Sequence, residues 1–194
     1  MLNAIVAALF LTAVAAGSDD EVLARLHVQV DAHDLTVSSC RNVFAGDPEA
    51  GLATIGFRYR VADAHALPGG QYTGTVVFEL STITISVPDT IRWPQMSQAD
   101  RIHVDALRRA IVHHEIGHVR VAEAVRNALN PRAPIVAPDV FAFRAEADAV
   151  GRAGFERFTR EEREYDALTD HGRRQNAAPP PLGGADTILQ CSAD

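Results

Sequence analysis

Cysteine is scarce, with two in 194 residues. That excludes a disulfide-rich scaffold, and Cys40 and Cys191 stand too far apart in sequence to form a CxxC metal knuckle. Positive charge is also short: 18 Lys and Arg face 25 Asp and Glu, for a formal net charge of -7. Phosphate contacts need clustered cations, so this balance speaks against a nucleic-acid binder and gives no reason to expect binding to anionic lipid. There is no internal repeat. Hydrophobic residues at 47% and charged residues at 22% exclude a disordered or collagen-like chain, and the length suits one domain.

Long apolar runs are absent after the first, Leu2 to Ala16 (LNAIVAALFLTAVAA). It is shorter than the roughly 20 residues a membrane-spanning helix needs. It ends in small residues, Val14-Ala15-Ala16, ahead of Gly17-Ser18-Asp19-Asp20. The pattern predicts a signal peptide over residues 1–16, cleaved after Ala16, although no Lys or Arg precedes the apolar core. The expectation is a secreted or periplasmic protein with no stable membrane insertion after cleavage. In an oxidising compartment Cys40 and Cys191 most simply pair. That bridge would close a loop of about 150 residues and stabilise by roughly 4–5 kcal/mol on a chain-entropy account.

The remaining chain, 17–194, divides by periodicity. Residues 17–92 read as a β-rich part, 93–176 as a helical part, and 177–194 as a linker leading to a short C-terminal strand near Thr187–Gln190. Apolar and polar side chains alternate over Arg25–Val30 and Ala53–Val61, and Gln71–Val87 is rich in Thr, Val and Ile. Breaks fall at Ala45-Gly46-Asp47-Pro48 and Leu67-Pro68-Gly69-Gly70. These segments predict an antiparallel sheet. After Trp93-Pro94 the period changes. Ser97 is placed to cap a helix with Asp100 completing a capping box, and Asn130-Pro131 ends it. Between them Val104, Leu107, Ile111, His114, His118, Val121, Val125 and Leu129 fall at alternating spacings of three and four, one face of a helix. A Pro-rich loop then leads to a second helix over about Asp139–Tyr165, weakened in its middle by Gly151 and Gly154. The predicted class is α+β.

Chemistry concentrates in His114-Glu115-Ile116-Gly117-His118, an HExxH motif. Two histidines at i and i+4 stack on one helix face and can hold one Zn²⁺ through two ring nitrogens. Glu115 leans to the side of the same site, where it can act as general base toward water activated by the metal. A shuffled chain of this composition would contain roughly 0.02 such matches. Both histidines also share the face that Val104, Leu107, Ile111 and Val121 mark as inward. Burying them with no partner would cost about 1–3 kcal/mol per unsatisfied group. His113 points about 100° away and reads as solvated or as support behind the ligands.

A catalytic zinc needs a third protein ligand. The candidates are Glu146 (or Asp148) on the second helix and His171 beyond it. In a tight antiparallel hairpin the level of His118 is matched near residue 151. Glu146 then sits roughly 7 Å from that level and Tyr165 roughly 20 Å beyond it. His171 reaches the metal only if the chain doubles back or the Pro-rich loop shifts the helix register, so geometry leaves both candidates open.

Trp93, HHEIGHV at 113–119 and YDALTDHGRRQ at 165–175 together carry a resemblance. The chain resembles a bacterial domain-of-unknown-function family described as predicted secreted zinc-dependent proteases, with Tyr165, Asp166, Thr169, His171, Gly172 and Gln175 at that family's positions. The resemblance implies a zincin-like metallopeptidase, with Zn²⁺ held by His114, His118 and His171. An oxyanion-binding Tyr165 and an Asp166 that orients His171 are the functional readings of those two residues; a packed aromatic and a solvated acid are the plainer ones. The run Arg160-Glu161-Glu162-Arg163-Glu164 reads as a solvated helix face, Arg173-Arg174 as surface, and Trp93 as a core anchor.

The expectation is therefore an exported α+β zinc metallopeptidase. An antiparallel sheet packs on a long active-site helix and a second long helix, and Glu115 serves as base toward a peptide or protein substrate. Two alternatives stand beside it: an amidase of cell-wall peptides, and a non-catalytic periplasmic metal-binding or assembly protein.

Overall fold

A computed structural model describes residues 17–39, 51–130 and 132–186. Residues 1–16, Cys40, Cys191 and Thr187–Gln190 lie outside the described residues. The expected signal peptide, Cys40–Cys191 pairing and C-terminal strand fall there. The elements in chain order are α1 (Asp19–Arg25), β1 (Gln29–Thr36), β2 (Leu52–Ala66), β3 (Tyr72–Arg92), α2 (Gln98–Leu129), β4 (Ile135–Ala137) and α3 (Val140–Thr169), followed by a 3₁₀ turn at Gln175–Ala177. The class is α+β.

β3 is the spine of the sheet. β2 pairs with it antiparallel from Leu52↔Ser86 to Ala66↔Tyr72, through the turn at Leu67–Gln71. β1, however, runs parallel to β3, from Gln29↔Thr84 to Thr36↔Arg92, so the sheet is mixed rather than antiparallel throughout. The alternation of Arg25–Val30 does not make one strand. Ser18 and Glu21 form a reciprocal capping box that starts α1, so Arg25 belongs to that helix and β1 begins only at Gln29.

The stretch between the long helices holds a strand where a loop is predicted. β4 pairs antiparallel with Tyr72–Gly74 and carries the chain back along the sheet before α3 begins. Asn130, the residue after α2, donates its amide to the Phe78 carbonyl (3.0 Å) and accepts from the Phe78 N–H (2.8 Å). A side chain thus satisfies strand backbone that lacks a neighbour there.

α2 starts as its sequence predicts. Ser97 accepts from the Asp100 N–H at 3.1 Å, and Asp100 accepts from the Ser97 N–H at 2.8 Å. Val104, Leu107, Ile111, His114, His118, Val121, Val125 and Leu129 are all buried. Burial is not confined to that stripe, because every residue from 114 to 123 is buried. Ile116 and Val119 pack on Ile83 and Ile85 of β3 and Val22 of α1, while Val121 and Val125 join Phe78, Phe158 and Tyr165. Trp93 anchors the N-terminal half of α2 to the sheet with Val87, Ile91 and Leu107.

The glycines of α3 allow close approach rather than simply weakening it. A Cβ at Gly151 would stand 2.3 Å from the Tyr59 ring, and one at Gly154 would stand 2.1 Å from the Phe78 ring. Phe57 of β2 stacks on Phe158 at 4.5 Å. These contacts lay α3 along β2 and set how far its C-terminal end travels toward α2. The stretch from Ala177 to Gly184 is no free linker, since Ala178 and Leu182 are buried in the same core.

Candidate metal centre

The HExxH turn and the last turns of α3 meet side by side. His114, His118 and Asp166 each offer one ligand atom, and the three atoms lie within 4.8 Å of one another. His118 Nε2 is 3.0 Å and His114 Nε2 3.5 Å from Asp166 Oδ1. Ligand atoms around a tetrahedral zinc at 2.0–2.2 Å stand roughly 3.5 Å apart, so this set has the size of a zinc site.

The other ring nitrogens are held from behind. His114 Nδ1 meets Gln175 Oε1 at 3.0 Å, and His118 Nδ1 meets Glu162 Oε2 at 2.7 Å. An acceptor at Nδ1 places the proton there and leaves Nε2 free to ligate. The imidazole planes cross at 79° with centroids 5.0 Å apart.

The YDALTDHGRRQ segment builds this support. Tyr165 is buried, stacks on His114 at 5.1 Å and donates its hydroxyl to the His114 carbonyl at 3.2 Å. Burial raises its pKa, and its hydroxyl also accepts from Gln175 Nε2 at 2.8 Å. Those bonds give it a packing role and leave little to offer an oxyanion. Gly117 makes room for it, as a Cβ there would lie 1.9 Å from the Tyr165 hydroxyl oxygen. Thr169 is fully buried and donates to the Tyr165 carbonyl at 2.8 Å, closing α3. Asp170, His171 and Gly172 then take positive φ values of 49°, 51° and 84°. The reversal returns the chain so that Gln175, also fully buried, reaches His114.

The sequence-predicted residues therefore divide. His114, His118 and the buried Glu115 lie together on α2. Glu115 turns toward the start of β2, where a Cβ at Gly51 would stand 2.5 Å from Glu115 Oε1. The carboxylate that converges with both imidazoles is Asp166, which the sequence reading places behind His171. His171 stands at the rim, its side chain 40% exposed and its Nδ1 3.8 Å from Asp166 Oδ1, outside the converging set. Glu146 is exposed on α3, and Asp148 accepts a hydrogen bond from the Tyr59 hydroxyl at 3.0 Å. His113 is not solvated, and it turns toward α1 and the Leu182 carbonyl, which also accepts from Gln175. It is half-buried, 2.8 Å from Asp19 Oδ2 and 3.3 Å from the Leu182 carbonyl.

Two supporting residues escape the sequence reading. Glu162 sits in a charge run that reads as solvated, yet it lies one helical turn before Asp166, shares its face and bonds His118. Gln175 is visible only as part of the motif; no local pattern points it at His114.

Electrostatics bind the cluster together. Burial opposes charge on His118, but hydrogen bonds to Asp166 and Glu162 outweigh it and raise its pKa to about 10. Burial likewise opposes charge on Asp166, and its bonds to His114 and His118 hold its carboxyl well below the usual range. Glu162 is pushed up, chiefly by burial. One carboxylate thus faces two imidazoles, with a second carboxylate behind His118, and the converging set of two nitrogens and one oxygen could hold one divalent cation.

Fold and site define an α+β protein with a candidate metal centre on an HExxH helix. The chain belongs to the bacterial family of unknown function DUF922, whose sequence profile matches residues 43–172. No curated protein and no solved structure matches it significantly. No helix among the described residues is long and apolar enough to cross a membrane.

Proposed function

We propose that this chain is an exported zinc-dependent peptidase that holds Zn²⁺ through His114, His118 and Asp166, with Glu115 as general base. The observation that carries the reading is the convergence of two Nε2 atoms and one carboxylate oxygen within 4.8 Å, on the same helix turn as a buried glutamate. When bound, zinc supplies Lewis acidity toward water and toward an amide carbonyl. Gln175 and Glu162 orient the two imidazoles, Glu115 takes the proton of the attacking water and returns it to the leaving amine, and Tyr165 keeps His114 in place.

The test is metal analysis joined to one substitution. Protein purified from zinc-replete medium should carry about one zinc per chain. Glu115→Gln should keep that zinc and abolish cleavage of reduced, alkylated proteins and of cell-wall peptides alike. Asp166→Ala should lose the metal while His171→Ala retains it; the opposite result would return His171 to the third position. A second reading, a metal-binding protein without catalysis, is favoured by the burial of Glu115 against Gly51, which resembles a closed site more than an open one. Zinc bound at about one per chain with no cleavage of any of these substrates by the wild type would support it.

A further inference from the structure

Roughly three turns of α3 before Asp166, β2 and α3 line an apolar trough of about 390 Å³, a size within the range of ligand sites. Its floor is Phe57, Phe78 and Gly151, and its walls are Phe155 and Tyr59. Phe155 is 54% and Tyr59 37% exposed. Exposed aromatics gathered around a concavity mark a binding surface more than chance placement does. One wall lies on the helix that carries Asp166. Phe155, Thr159, Glu162 and Asp166 fall at spacings of four, three and four, a single stripe of α3. Glu162 and Asp166 keep 20% and 25% of their side-chain surface open, so the stripe stays accessible as far as the ligand. On the other wall β2 begins beside Glu115, at Gly51, and no other described strand covers its outer edge.

We propose that this trough is the substrate-recognition subsite of the enzyme, taking the aromatic or large aliphatic side chain of an extended peptide about five residues from the bond cleaved. The proposal rests on the peptidase reading. Its register follows from length. Phe155 to Asp166 spans roughly 16 Å of helix. An extended peptide covers that in about five residues at 3.3 Å each. A peptide fits better than a compact ligand because the trough shares an α3 stripe with Asp166 and the outer edge of β2 is free of any other described strand to pair with an extended chain.

The experiment is digestion of oxidised insulin B chain and of reduced, alkylated casein by the zinc-loaded protein, with products mapped by mass spectrometry. Cleavage sites should be enriched in Phe, Tyr, Leu or Trp four to six residues to one side. Phe155→Glu should raise KM about tenfold for a peptide carrying Phe there, leave kcat and peptides lacking it unchanged, and be rescued by Phe155→Leu. Phe155 is exposed, so these variants should fold, as circular dichroism can verify. Enrichment that persists in Phe155→Glu overturns the subsite. If the wild type cleaves nothing, the peptidase reading fails and the trough is judged by binding. Labelled peptide of the same sequence should then bind zinc-loaded Glu115→Gln about tenfold more tightly than the double variant with Phe155→Glu, and equal binding overturns it. A dimer abolished by Phe155→Glu in sedimentation would overturn it in favour of self-association.

Discussion

The two flanks of α2 are both polar and buried, yet they solve burial in opposite ways. On one flank Arg120, 2% exposed, donates to the Gly17 carbonyl at 2.6 Å and to Asp19 at 3.1 Å. Nearby, Glu123, also 2% exposed, is gripped by both terminal nitrogens of Arg25 and by Arg126 at 3.3 Å. Each buried charge there meets an opposite charge from the protein, and the clamp fastens α1 to the helix. On the other flank His114, His118 and Asp166 aim ligand atoms toward a shared point, with Glu162 holding His118 from behind. The first arrangement is complete in itself; the second is one that could hold a cation. The comparison teaches that burial of polar groups does not by itself mark a site, whereas convergence does.

The sharpest way to break the comparison is at Gly117. Alanine in an ordinary helix position gains about 1 kcal/mol over glycine. Here the added Cβ collides with Tyr165. Gly117→Ala should instead destabilise by about 3 kcal/mol in thermal unfolding and lower zinc stoichiometry. On the clamp side, Arg120→Met should cost about 2 kcal/mol in denaturant unfolding while zinc stoichiometry stays unchanged, because it removes the bonds to the Gly17 carbonyl and Asp19 without touching the ligands. If Arg120→Met also empties the site, the flanks are not separable. Gln175→Leu should weaken zinc binding by about 10- to 100-fold, read by competition with a chelator, with Glu162→Gln acting similarly on His118.

The smallest effect is the pH response of the clamp. Its hydrogen bond to Asp19 raises the His113 pKa, so that contribution is full below 6.5 and lost as pH rises through the raised value. Burial opposes charge on Asp19, but bonds from His113 and Arg120 outweigh it and lower its pKa, so its contribution is present above 3.8 and lost as pH falls through the lowered value. The clamp is strongest between those limits. Its pH-dependent part, about 1 kcal/mol, should vanish in Asp19→Asn when thermal midpoints are compared across pH 4–9.

Legibility in the sequence follows the same division between local and distant. The start of α2 at Ser97, its end at Asn130 and its inward face are read correctly because capping and periodicity are local properties. The direction of β1 is misjudged because strand alternation reads the same for parallel and antiparallel neighbours. Three prolines near β4 hide a strand that makes only three pairings. Glu162 is misread for a related reason, since a charge run looks solvated until the partner element is known.

The one-turn spacing of His114 and His118 and the neighbouring Glu115 are properties of helix geometry, and residue order alone determines them. The choice of carboxylate is not. Asp166, rather than Glu146, meets the imidazoles because β4 and the close aromatic contacts at Gly151 and Gly154 slide α3 along the sheet by several turns. The left-handed turn at Asp170–Gly172 then leaves His171 at the rim. Register between two helices is set by what packs between and beneath them, and no periodicity within either helix encodes it.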